Sequence, residues 1–371
     1  MDKRLIENRR ELERWCRDHG KSRDVRARLL RVQANEHMML PNGEINMFEA
    51  RPASEWVAAT AGKPAMSKLF DDLWLAGELS ILFADTGIGK SILAVQIAEA
   101  IARGHAIEPF EMTAAAQKVL YFDFELSQEQ FAERYARVTG SERVISDEYK
   151  FSDNIVRAQI TWDGPPPLGY ESTSHFMYRS MLDWLEKSDA RIMIVDNISY
   201  LNDSTHSPHA ALRLMKALKE LKRTEEVSVL VLAHTPKRAF HRELTVNDLQ
   251  GSKMLSNFAD NVFAIGRCRD DADLRYIKHI KQRSSAVKFG ADNVIVCRLE
   301  KEFNFPRFRF ERFCFESEFI HHGGTITDEE RERLVNAAAE LRKAGRSERQ
   351  IAVELNISNA TAHRYLRISE S

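Results

Sequence analysis

Lys90 and Ser91 close the stretch "FADTGIGKS", in which an apolar run is broken by two glycines before a helical rhythm begins. An ammonium group and a hydroxyl side by side at the head of a helix suit a polyanion and a divalent cation. Gly87 and Gly89 let backbone N–H groups come close to phosphate oxygens, and the following helix offers its positive N-terminal end. Strand, glycine-rich turn, Lys, Ser, helix is the order of a phosphate loop. In that frame Asp85, Thr86, Gly87, Ile88 and Gly89 build the cradle, Lys90 meets the terminal phosphates of a nucleoside triphosphate, and Ser91 helps to hold Mg2+. The strict pattern begins with Gly where this chain has Ala84, an exchange that narrows backbone freedom and removes no donor.

Two further segments supply carboxylates. "RIMIVDNISYL" is an apolar strand ending in Asp196, the form of an acid that faces Mg2+ opposite Ser91. The residue after it is Asn197, so a general base must come from elsewhere. "VLYFDFELSQEQF" runs a second apolar strand into Glu125, with Ser127 and Gln130 spaced as a helix capping box. Ligands gather at the C-terminal edge of parallel sheets, which makes Glu125 the candidate base for the attacking water. Asp123, two residues back on the same face, is its rival.

These groups need a rigid frame, and the chain has the means to build one. Of its 371 residues 43% are hydrophobic and 29% charged, which is the composition of a folded protein. The net charge of -1 gives no global basic signature, so any nucleic-acid surface must be local. Cys16, Cys268, Cys297 and Cys314 are scattered without CxxC pairs, which argues against a zinc site or a disulfide framework. No apolar run reaches spanning length, and the charged start "MDKRLIENRRELERWCRDHGK" lacks a signal-peptide core, so a cytoplasmic location and no membrane partner are expected.

Strands are expected at Leu79 to Phe83, Val119 to Phe124, Ile192 to Val195, Val227 to Ala233 and Asn261 to Ile265. Helices are expected near Ile92 to Arg103, Gln128 to Val138, His175 to Lys187 and Ala210 to Lys222. Continuous apolar strands alternating with amphipathic helices indicate an α/β fold, a mostly parallel sheet with helices on both faces. From Arg275 onward the period changes to two, as in "RYIKHIKQR", "NVIVCRLE" and "FRFERFCF", which adds antiparallel strands at the sheet edge. The phase of Phe308 and Phe310 slips to Phe313 and Phe315, placing a bulge or turn near Glu311 and Arg312. Ahead of this core, Leu5, Leu12, Trp15, Cys16, Val25, Leu29, Leu30 and Val32 outline a small helical arm. A loop-like linker with one short helix near Trp56 follows it. The division expected is an arm and linker over 1–66, an α/β domain over 67–322 and a small helical module over 325–371.

The ordered set of motifs resembles the RecA-fold P-loop ATPases, and within them the RepA-like and DnaB-like branch of hexameric helicases. The resemblance covers about Phe70 to Phe315. It implies ATP and Mg2+ as cofactors, a strand-end sensor at His234 in "VLVLAHTPK", and a DNA-facing loop within Asp248 to Ile265. It also implies that Lys281 and Arg283 in "YIKHIKQRSS" act as basic fingers on nucleotide held by a neighbouring subunit. A homo-oligomer, a hexamer in particular, would then close around single-stranded DNA.

The tail "TITDEERERLVNAAAELRKAGRSERQIAVELNISNATAHRYLR" reads as three helices, the first capped by Thr327 and Glu330 and ended by Gly345. A short second one is flanked by Ile351, Val353 and Leu355, and Ser358 caps the third. It is similar to a resolvase-type helix-turn-helix. Asn359, Thr361, His363 and Arg364 on the third helix would then be the contacts to duplex DNA, although acid and base balance in this module leaves a protein-binding bundle open. The expected function is a Mg-dependent ATPase acting on DNA, a helicase of a replication or mobile-element system. Two alternatives stand beside it: an ATP-regulated, sequence-specific DNA-binding regulator or loading factor without unwinding, and a filament-forming recombination mediator.

Overall fold

The computed structural model describes residues 48–369 except 140–141, 145–148, 171, 199–207, 236–241, 250–251, 269–270, 321–327 and 356–358. The helical arm expected between Leu5 and Val32 lies outside the described residues, as do the Thr327 and Ser358 caps. A one-turn-and-a-half helix, α1 (Ala53–Ala58), stands where the linker helix was expected. A small hairpin of β1 (Lys68–Phe70) and β2 (Trp74–Leu75) leads into β3 (Leu79–Ala84), and the phosphate loop then opens α2 (Lys90–Arg103).

Beyond α2 the chain forms β4 (Val119–Asp123), α3 (Gln128–Tyr135) and a second hairpin of β5 (Arg137–Thr139) and β6 (Glu142–Val144). It continues through β7 (Ile155–Gln159), α4 (Thr173–Ser188), β8 (Ile192–Asp196), α5 (Pro208–Glu225) and β9 (Ser228–His234). A short helix, α6 (Ser252–Phe258), precedes β10 (Asn261–Arg267), β11 (Leu274–Gln282), β12 (Val294–Glu302) and β13 (Phe305–Cys314). Nine of these strands make one sheet in the order β13-β12-β11-β10-β3-β9-β8-β4-β7. The pairs from β7 to β10 are parallel, and β11 to β13 add antiparallel. This is the α/β fold expected from the alternation of apolar strands and amphipathic helices.

Helices cover both faces. On β3, Leu79, Ile81 and Phe83 join one core with Met181 and Leu185 of α4 and Met215, Leu218 and Leu221 of α5. Leu82 and Ala84 of the same strand point the other way, against Leu93, Ala94, Ile97 and Ile101 of α2. Period-two alternation therefore assigns each residue of a continuous apolar strand to one of two cores, which is why such strands read as unbroken hydrophobic runs. The bulge expected in the last strand is present: Val296 faces Arg312 and Cys297 faces Phe310, so Glu311 is the additional residue.

The expected boundaries shift where local polar groups intervene. β4 stops at Asp123 rather than Phe124, because the Asp123 carboxylate accepts the N–H of Glu125 (3.1 Å) and Leu126 (2.9 Å) and turns the chain. α3 ends at Tyr135, three residues early, and the chain becomes extended at Ala136. β7 was not expected at all: with Arg157 at its centre and partly buried residues around it, it has no apolar run to mark it.

A third core belongs to the tail. α7 (Asp328–Lys343), α8 (Glu348–Glu354) and α9 (Asn359–Ser369) bury Val335, Ala338, Ile351, Ala352, Ala362, Tyr365 and Leu366 among themselves. Gly345 follows α7 at φ 82°, in the left-handed region a helix C-terminus favours. Among the described residues no helix is long and apolar enough to cross a membrane.

One buried group makes stability depend on pH. His279 on β11 is 1% exposed, and neither ring nitrogen has a hydrogen-bond partner. Burial pushes its pKa down to about 4, against a smaller opposing pull from the Lys281 backbone and the charges of Asp72 and Asp71. A histidine depressed in this way leaves the unfolded chain binding more protons between its two pKa values. Its contribution is complete above the ordinary value near 6.5 and is lost as pH falls toward 4. At ~1.4 kcal/mol for each pH unit between the two values, the loss approaches about 3 kcal/mol. Urea unfolding at pH 7 and pH 4.5 is expected to show that share of the acid sensitivity disappearing in His279→Leu; equal slopes in parent and variant would refute it.

Candidate functional site

The phosphate loop leaves the sheet between β9 and β10, where strand β3 ends. Ala84 is still in register there, opposite His234 on one side and Ile265 on the other, and is fully buried. An extended strand residue needs no positive φ, so Ala is accommodated where the strict motif has Gly. The positive φ values fall on Gly87 (77°) and Gly89 (102°), the two glycines the sequence retains. Gly89 is pressed from outside as well: a Cβ there would lie 3.0 Å from the ring of Phe308 on β13.

Lys90 is 6% exposed, and its ammonium lies 3.1 Å from the Ala84 carbonyl, 3.4 Å from that of Asp85 and 3.1 Å from Nδ1 of His234. Burial lowers its pKa, opposed by the nearby charges of Glu125, Asp196 and Asp85. His234, at the end of β9, turns its Nε2 toward Oε1 of Glu125 at 3.1 Å. With Lys90 donating to Nδ1, the proton of a neutral ring sits on Nε2 and is donated to Glu125. Asn197 Nδ2 donates to the same carboxylate oxygen and lies 2.9 Å from His234 Nε2. Glu125 is held below the usual carboxylate range, first by the His234 hydrogen bond, then by the Lys90 charge and the Asn197 amide, against the cost of burial.

Asp123 and Glu125 are separated by their surroundings. Asp123 is 3% exposed, ion-paired to Arg157 at 2.9 Å and engaged with two backbone N–H groups. The Glu125 side chain is 36% exposed and belongs to the Lys90–His234 cluster. The Asp123 oxygens are thus occupied in holding a turn, whereas Glu125 faces the cluster around Lys90.

Asp196, 1% exposed, ends β8 beside Glu125 and Lys90. Its Oδ2 accepts the Tyr121 hydroxyl at 2.8 Å, and Oδ1 is buried with no hydrogen-bond partner. Burial raises its pKa to about 6, with the Ser91 hydroxyl and Tyr121 opposing and the Glu125 charge adding. An orphaned carboxylate oxygen opposite a serine hydroxyl is a donor set that suits a hard divalent cation, so the residues present fit Mg2+.

Several contributors carried no sequence signal of their own. Thr235 donates to the Asp85 carboxylate, tying the loop to the end of β9, and its position directly after His234 was the only hint. Tyr121 lies on the face of β4 that also carries Asp123. Arg275 reaches the Ile88 carbonyl from 187 residues away.

Residues 46–239 match the family model of the AAA domain, more than half of the chain. The chain belongs to the AAA domain family. Among curated proteins none matches it significantly. Two solved structures similar to it are the KaiC-like protein PH0186 from Pyrococcus horikoshii OT3 and the ATPase domain of a second protein. The first is 12% identical over 63% of this chain and 90% of that one, with a TM-score of 0.42. The second is 14% identical over 70% of this chain and 96% of that one, with a TM-score of 0.47.

The AAA domain match contains Lys90, Ser91, Glu125, Asp196 and His234, the residues the fold brings together. Lys281 and Arg283 lie beyond it, and the structure does not bring them to the chain's own phosphate loop. β11 runs antiparallel, so Lys281 stands opposite Val262, and Arg283, one residue past the strand, bonds Asp260 at the start of the parallel strands. Five residue steps of β3, about 17 Å, separate that edge from the loop. The Lys281 ammonium is bonded to the Ser256 and Ala259 carbonyls and the Arg283 guanidinium to the Asn257 carbonyl, all at the C-terminal end of α6. Of the tail candidates, His363 is exposed on α9 with Nδ1 3.3 Å from Glu348. The side chains of Asn359, Thr361 and Arg364 lie outside the described residues.

Proposed function

We propose that the protein is a Mg2+-dependent ATPase acting on DNA, a helicase or translocase of a replication or mobile-element system that works as a homo-oligomer, a hexamer in particular. The observation that carries the ATPase part is the convergence of Lys90, Glu125, Asp196 and His234 on one end of the sheet. In this reading the amides of Asp85 to Gly89 cradle the phosphates, and Lys90 exchanges its carbonyl contacts for the terminal phosphoryl oxygens. Ser91 and Asp196 hold the cation, which when bound neutralises charge developing on the phosphates. Glu125, kept ionised by His234 and Lys90, takes the proton of the attacking water. His234 links Glu125 to Lys90, so occupancy of the terminal phosphate position is felt by the base through one imidazole.

The helicase part rests on the resemblance to the RepA-like and DnaB-like branch. In it Lys281 and Arg283 serve a neighbour's nucleotide, consistent with their place at the opposite edge of the sheet from their own loop. We assign residues 1–66 to an arm and linker, 67–322 to the ATPase domain and 325–371 to a helix-turn-helix module. Forked-duplex strand displacement with Mg-ATP, and electron microscopy of the particles with a nonhydrolysable nucleotide, test this reading. ATP-dependent unwinding by closed rings is the expected result.

A second reading has an observation of its own: α7, α8 and α9 bury a separate small core, the frame a duplex-reading module needs. A site-specific footprint that survives substitution of Lys90, disappears on truncation at Gly324 and is accompanied by no unwinding would make the protein an ATP-regulated DNA-binding regulator or loading factor.

A further inference from the structure

Arg275, the second residue of β11, is 6% exposed. Its Nε donates to the Ile88 carbonyl at 3.1 Å, and Nη1 donates to the carbonyls of Ala272 at 2.6 Å and Leu274 at 2.8 Å. Among the described residues its guanidinium makes no salt bridge. A buried cation satisfied by main-chain oxygens alone is held at a cost, because carbonyl dipoles do not neutralise it. Burial lowers its pKa, the Arg267 charge adds to that, and the charges of Asp273 and Asp271 oppose it.

The carbonyl it grips is the informative one. In a planar trans peptide the C=O of Ile88 and the N–H of Gly89 point in opposite directions. A donor that fixes the Ile88 oxygen therefore fixes the Gly89 N–H, aimed away from Arg275. Gly89 is confined on a second side by the Phe308 ring, 3.0 Å from where a Cβ would stand. Phe308 is itself anchored to α2, since Gln96 donates to its carbonyl at 3.0 Å and accepts its N–H at 2.8 Å. The last amide before Lys90 is thus set by the antiparallel strands β11 and β13, outside the stretch that matches the AAA domain.

We propose that Arg275 is a positioning residue of the phosphate loop, presenting the Gly89 N–H to the β-phosphate of a nucleoside di- or triphosphate. This rests on the nucleotide reading above. The polyphosphate, and the nucleoside only secondarily, is what the arrangement recognises. A purely structural role would lower stability and turnover together. A positioning role raises KM with kcat at saturation retained, and weakens phosphate ligands that carry no base.

The test is isothermal titration of the full chain with Mg-ADP and with inorganic pyrophosphate, alongside steady-state ATP hydrolysis, for the parent, Arg275→Gln and Arg275→Lys. Arg275→Gln is expected to weaken both ligands and raise KM by roughly ten-fold, the worth of one charge-assisted contact, with kcat within about two-fold. Arg275→Lys keeps the cation without the fixed planar fork and is expected to fall between, at about three-fold. Should Arg275→Gln fail to fold, Arg275→Lys decides alone: a KM raised about three-fold supports the proposal and an unchanged one overturns it. Variants that bind both ligands as the parent does, or lose kcat with KM unchanged, overturn it. A parent that binds neither ligand defeats the nucleotide reading itself, and is told apart by that.

Discussion

Glu125→Gln is expected to reduce ATP turnover by about 10²- to 10⁴-fold, the usual loss on removing a general base, and to leave nucleotide affinity nearly unchanged. The substitution is conservative in shape: a glutamine oxygen still accepts from Asn197 and from His234 Nε2, so the cluster around Lys90 keeps its geometry. What disappears is the capacity to take a proton. The neighbouring carboxylate does not take over, because Asp123 is buried, bonded to Arg157 and occupied by the N–H groups of Glu125 and Leu126. Single-turnover hydrolysis of pre-bound ATP isolates the chemical step. Turnover within about ten-fold of the parent would remove Glu125 from the mechanism. Asp123 would then become the base to test, by the same exchange.

Lys90→Ala is expected to weaken Mg-ATP by at least about 100-fold, or roughly 2.7 kcal/mol, since charge-assisted contacts to the terminal phosphates are among the strongest in such a site. The same change is expected to leave the folded protein as stable as the parent or more so. The Lys90 pKa is lowered by burial, so the ammonium form is disfavoured by its surroundings in the folded chain. Ala removes that cost along with the contacts to Ala84, Asp85 and His234. Equilibrium binding of a fluorescent ATP analogue and thermal unfolding without nucleotide together check both halves. A variant that binds as tightly as the parent refutes the site, whereas one that merely unfolds refutes the stability argument.

The two expectations differ in how they could be reached. Lys90 and Ser91 were legible because a phosphate loop is local: its glycines, lysine and serine are consecutive, and the strand before and helix after it announce themselves by period. The same holds for the Ser127 capping box, in which both reciprocal bonds form, and for the Glu311 bulge, which the slip in the phenylalanine pattern marked. Glu125 was legible only as one of two carboxylates. Both end up at the same end of β4, and nothing in "FDFEL" says which will meet an arginine from β7, a strand whose own sequence hides it.

Lys281 and Arg283 show another kind of gap. Their alternation on a strand is a property of sequence, but their distance from the loop depends on β11 running antiparallel beside β10. The α6 carbonyls that receive their charges are likewise brought near by the fold.

By itself the sequence determined the α/β class, the phosphate loop with Lys90 and Ser91, the strand-end acid Asp196 and the antiparallel character of the last strands. All are encoded over a handful of adjacent residues, where periodicity and turn chemistry operate. Tertiary structure alone decided that β3 lies between β9 and β10, that His234 bridges Lys90 and Glu125, and that Asp123 is spent on a turn. It alone put Arg275 behind Ile88. These are contacts between residues far apart in the chain, fixed by which strand pairs with which, and strand order leaves no mark on a short window of sequence.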